Sequence, residues 1–148
     1  MTPVRRRLAS DDGSALIEFC VLAVLMLVPV VYLVATLGRL QAGAFATQGA
    51  AREAGRAFMT APDESTGRER ADVAAAVALE DQGFTDTRRV QVDIACEPEP
   101  CLAPGSRVVV RTALQVGLPA VPALVSRVVP TSIVVRADHV ATVGRFER

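Results

Sequence analysis

The chain has 148 residues, 51% of them hydrophobic, with sixteen arginines, no lysine and sixteen acids, so its formal charge is zero. Its positive residues are scattered beyond the N-terminal segment, which leaves no basic footprint for a nucleic acid. One long apolar run and no second one bound it to a single membrane helix plus one exported domain of roughly 90 residues, enough for a modest core.

Residues 1–13 form a short basic leader in which Arg5, Arg6 and Arg7 precede the apolar run and Asp11 and Asp12 dilute the charge. By the positive-inside rule the N-terminus stays cytoplasmic and the chain beyond Arg39 lies outside. Residues 14–38 are the predicted membrane helix, since about 20 apolar residues span a bilayer core of about 30 Å. Pro29 inside it removes one helical hydrogen bond and predicts a kink. Glu18 is the exception to the pattern, a lone carboxylate just before the uncharged stretch from Phe19 to Gly38. A charge there costs about 2 to 3 kcal/mol at the helix centre and less near its end, so it calls for a partner. A cut between Gly13 and Ser14 would supply one, because the new Ser14 amine would be a cation near Glu18 or near the Glu18 of a neighbouring subunit. An uncleaved anchor explains everything except Glu18. A secretory signal cut after Ala42-Gly43-Ala44, giving a chain that starts at Phe45, has the small-x-small site but an apolar region longer than usual. Cys20 in this run reads as a small buried hydrophobe.

Residues 39–60 continue the helix outside the membrane, with Ala46, Ala50 and Ala54 on one face at a spacing that lets helix backbones approach closely. Gly43, Gly49 and Gly55 each cost up to about 1 kcal/mol of helix propensity, so this segment needs a partner surface. Residues 61–148 are predicted to form a small α+β domain. Pro62, Asp63, Ser65 and Gly67 make a loop, and Arg68 to Gln82 reads as a core-packing helix with Val73, Ala76, Val77 and Leu79 at helical spacing and Gly83 at its stop. The period then changes to two. Val90, Val92, Ile94 and Cys96 form one half-buried strand face, and Val108, Val110, Thr112, Leu114 and Val116 form another. Pro104-Gly105 closes a hairpin between them. A third strand runs from about Ser132 to Val143, with His139 on the same face as Val135, Ala137 and Ala141. The apolar connection from Leu118 to Pro130 would rather be covered by sheet, membrane or partner. The fold class expected is therefore α+β, a long N-terminal transmembrane helix, a second short helix and an antiparallel sheet of about three strands.

Cys96 and Cys101 fall in the exported part with four residues between them, and we expect a disulfide that pins the turn at a gain of about 2 kcal/mol. One histidine and no second cysteine pair leave too few ligands for zinc, so no metal and no cofactor is expected. No catalytic residue is expected either. His139 has no serine elbow to serve and Asp138 points to the other face of the strand, and no phosphate-binding glycine loop occurs.

The opening Gly13, Ala15, Glu18 and Phe19, with Pro29 in the helix, then Gln48 and Ala50-Ala51-Arg52-Glu53-Ala54-Gly55-Arg56 and a strand-rich tail, resembles the TadE-like family of tight-adherence (Flp) pilus assembly proteins. These are type IV prepilin-like, and TadF and TadG types share the opening. The resemblance implies cleavage after Gly13 by a prepilin peptidase. It further implies a minor pilin or pseudopilin whose Glu18 and Phe19 take part in assembly with other pilin subunits and the pilus machinery. Its place would be the cytoplasmic membrane, single-pass, or a surface fibre. The long exported domain departs from the short major pilins and points to an accessory subunit. A membrane-tethered extracytoplasmic binding module is the alternative.

Overall fold

The computed structural model describes residues 11–86, 90–119 and 130–144. Two helices are followed by three strands: α1 (Asp11–Met59), α2 (Glu64–Glu80), β1 (Val90–Glu97), β2 (Arg107–Gly117) and β3 (Ser132–Thr142). The fold is α+β. The chain divides into two compact units, one ending at Ala35 and one beginning at Thr36, and α1 runs through the division.

Helix α1 follows from an Ala, Leu and Val-rich sequence with a single proline. It is continuous through Pro29, whose missing N–H leaves the Leu25 carbonyl without its helical donor. It ends where the Thr60 amide and hydroxyl both turn back to the Arg56 carbonyl (3.2 and 3.1 Å), two residues before Pro62.

In the second unit the distal part of α1 and all of α2 pack on one face of the sheet. The stripe Ala46, Ala50, Ala54 and Phe58 recurs every four residues and is buried, with Ala50, Ala54 and Phe58 at 0% exposure. The small residues that predicted close helix packing therefore serve a contact inside this chain. The Thr112 hydroxyl donates to the Thr47 carbonyl at 3.0 Å, tying β2 to α1 directly.

Asp63 starts α2 one turn earlier than the apolar spacing predicts. Its extended backbone leaves the carboxylate free to accept from the Thr66 amide at 2.9 Å, with the Ser65 and Thr66 hydroxyls at 2.6 and 3.0 Å. The helix ends at Glu80, and Gly83, whose φ of +80° a side chain would resist, turns the chain so that the Phe84 amide returns to the Leu79 carbonyl at 3.0 Å. The buried face of α2 is Gly67, Ala71, Ala75 and Leu79, while Val73 and Val77 are exposed. This differs from the expected apolar face. A Cβ on Gly67 would lie 2.9 Å from Phe58 Cδ2, so the helix crossing admits only the smallest residues and the valines are turned outward.

The cap has a pH signature. Ser65 first, then the Thr66 amide and hydroxyl, lower the Asp63 carboxyl from 3.8 to about 2. A carboxyl depressed in the folded state contributes stability above its unfolded value and loses it as pH falls toward the folded one. Asp63→Ala is therefore expected to unfold at a lower temperature than the parent at pH 5, with the gap closing between about pH 4 and pH 2. Melting curves across that range would count against this account of the cap if the gap stayed constant.

The sheet is antiparallel with order β1-β2-β3. Its register pairs Val92 with Thr112 and Thr112 with Ala137. Alternate residues Val108, Val110, Thr112, Leu114 and Val116 of β2 are all buried under the helices, as the period of two requires. The opposite face is mixed, with Ala95, Val109 and Val140 in one row and charged residues in another. It carries the row Asp93, Arg111, Asp138, with Arg111 3.3 Å from Asp93 in an exposed pair that adds little stability. The β2–β3 connection leaves β2 with the Leu118 amide bonded to the Thr131 carbonyl at 2.9 Å. Most of the apolar segment predicted there, 120–129, lies outside the described residues.

Candidate functional site

Gly13 and Ser14 stand in the first turns of α1, and Ser14 precedes Glu18 by four residues. In a helix that spacing places two residues on one face, about 6 Å apart along the axis. Glu18 and Phe19 are exposed, Phe19 at 71%. From Leu16 to Val34 every large apolar side chain is exposed, so this stretch buries none of them against the other described residues. The helix is long and apolar enough to cross a membrane. Cys20 is exposed with a free thiol, in place of the buried position expected.

The segment after the apolar run belongs to the second unit. The Arg39 guanidinium lies 4.3 Å above the centre of the Phe84 ring, a cation–π contact. Leu40 packs against the core. A Cβ on Gly43 would lie 2.5 Å from Val116 Cγ2, and the Thr47 hydroxyl bonds the Gly43 carbonyl at 2.6 Å. The sequence patterns gave no sign of the Arg39 contact, since it joins residues 45 positions apart in unrelated periodicities.

Cys96 and Cys101 form the expected disulfide, with their Cα atoms 5.1 Å apart. It closes the β1–β2 connection, and the Cys101 amide donates to Glu64 Oε1 at 2.8 Å, anchoring that loop to the first turn of α2. The Ser106 hydroxyl donates to the Pro100 carbonyl at 3.1 Å, and Gly105 turns the chain with φ of +89°. The disulfide and Glu18 lie in different units.

His139 faces α1 from β3. A Cβ on Gly55 would approach its ring carbon Cδ2 to 3.1 Å, so the imidazole fills space that the glycine leaves. Among the described residues no three His, Cys, Asp or Glu side chains converge as metal ligands. The arrangement as a whole offers an apolar helical surface headed by one carboxylate, and a small disulfide-pinned domain.

No protein-family profile, no curated protein and no solved structure matches this chain.

Proposed function

We propose that this chain is a minor pilin or pseudopilin of a tight-adherence type pilus or related secretion apparatus, cut after Gly13 by a prepilin peptidase. The observation that carries the reading is Glu18, a single carboxylate on an exposed helix face that is otherwise apolar as far as Gly38. A plain anchor needs length and hydrophobicity only, and a carboxylate works against insertion. Paired with the Ser14 amine of an adjacent subunit, the same group would give a charge-assisted bond worth about 1.5 to 3 kcal/mol in a dry setting and set the register of helix against helix.

The contacts of Arg39, Leu40 and Gly43 favour a chain that keeps its helix. A cut after Ala44 would strip all three from the exported domain and remove the carbonyl that Thr47 bonds. The disulfide fits an oxidising compartment outside the cytoplasm.

Glu18→Ala separates assembly from anchoring. In cells that carry the peptidase and the remaining pilus proteins, the variant is expected to stay in the membrane fraction at parental levels. Its co-isolation with sheared fibres or with partner subunits is expected to fall at least tenfold, as loss of such a bond implies. Parental levels of co-isolation would remove the assigned role of Glu18.

A further inference from the structure

Strand β3 is an edge of the sheet, with β2 on one side and no strand on the other among the described residues. Eleven residues of unpaired edge would normally be blunted by charge, a bulge or a cover. Here the free edge carries a pattern of its own. The Val143 carbonyl accepts from Gly105 and its amide donates to Ser106, and the Thr131 carbonyl accepts from Leu118. Backbone polarity alternates along an antiparallel strand, so the odd-numbered residues of β3 bond to β2 and the even-numbered ones turn their amides and carbonyls to the open edge. Those residues read Ser132, Val134, Arg136, Asp138, Val140, Thr142, and side chains from Val134 to Thr142 in this set are exposed, Val134 and Val140 at 46% and 55%.

That series is chemically palindromic about Ala137: hydroxyl, valine, cation, then anion, valine, hydroxyl. We propose that β3 is a self-pairing edge, by which two copies of this chain join antiparallel about a two-fold axis at Ala137 into a continuous six-stranded sheet. In that register Arg136 stands opposite Asp138 of the second copy, twice over by symmetry, and Val134 stands opposite Val140 of the second copy. The hydrogen-bond phase agrees. Ala137 has spent its groups on β2 and forms the non-hydrogen-bonded pair at the axis, and the pairs on either side of it present free amides and carbonyls to one another. Neighbouring registers lose this. Centred on Arg136 or on Asp138 they set like charges face to face, which is destabilising, and a parallel in-register pairing also stacks like on like. Opposed charges and opposed valines are the stabilising cross-strand pairs, and an isologous contact requires the self-complementarity that this edge has. The same charges that protect the edge from arbitrary strands thus select one partner, a second copy.

The test uses the full chain in detergent and reads its association by sedimentation equilibrium. The parent is expected to dimerise. Arg136→Asp and Asp138→Arg, each alone, make the two pairs like-charged, and each is expected to raise the dimer dissociation constant at least about tenfold. An equimolar mixture of the two variants sets an acidic edge against a basic one and is expected to regain parental affinity. The double variant carrying both substitutions is expected to dimerise as the parent does. These side chains are exposed on the face of the sheet away from the helices, so circular dichroism should be unchanged throughout. A monomeric parent, single variants that associate as the parent does, or a mixture and a double variant that stay weak would each overturn the pairing.

Discussion

Replacing Phe58 with alanine should remove a large share of the second unit's stability. Phe58 is fully buried at the end of the α1 stripe, and its ring closes on the backbone of α2 at Gly67. Truncating a buried phenylalanine costs about 3 to 5 kcal/mol through lost burial and the cavity left behind. A small domain holds about 5 to 15 kcal/mol in all, so the variant should unfold at far lower denaturant concentration. Val77→Ala on the exposed side of α2 is the control, since that side chain is half open to solvent, and it should change stability by less than about 1 kcal/mol. Denaturant titration of the full chain in detergent gives both values. Equal losses at the two positions would mean that α2 buries the valine face and that the helix crossing has been misplaced.

The second large effect separates two glycines that sequence reasoning treats alike. Gly43 and Gly49 both lie inside α1 and both carry the propensity cost of glycine in a helix. A Cβ at Gly49 meets nothing within 4 Å, so Gly49→Ala should stabilise the domain by about 0.5 to 1 kcal/mol. A Cβ at Gly43 would be 2.5 Å from Val116 Cγ2, and Val116 is fully buried at the C-terminal end of the core face of β2. Its branched side chain has no free end to swing away, so helix and strand must separate. Overpacking of this kind costs about 1 to 3 kcal/mol, which outweighs the propensity gain, and Gly43→Ala should destabilise. Thermal unfolding of the two variants should therefore move in opposite directions. Stabilisation by both would show that α1 does not approach β2 at Gly43.

These two cases also mark where the sequence was legible. The strands were readable because valines alternate with charged or polar residues, and each register pair brings the expected faces together, as at Val92, Thr112 and Ala137. The disulfide was readable because two cysteines so close in a segment read as exported have few other uses. The inward face of α2 was not. Hydrophobicity ranks valine above alanine, but a close helix crossing selects for size, so Ala71 and Ala75 went inside and Val73 and Val77 outside. For the same reason the Ala46, Ala50 and Ala54 stripe announced close packing without saying against what, and its partner proved to be within the same chain. Glu18 was conspicuous from composition alone. Its partner is not, because the pairing proposed for it needs a second subunit.

The reading of this chain as a processed pilin-like subunit depends most directly on one peptide bond. The full chain expressed with a prepilin peptidase, and its mature N-terminus determined by mass spectrometry, should begin at Ser14, while Gly13→Leu should keep its leader. An intact leader on the parent chain would contradict the account and leave a tethered extracytoplasmic module, and a chain beginning at Phe45 would contradict it in favour of a freely secreted domain.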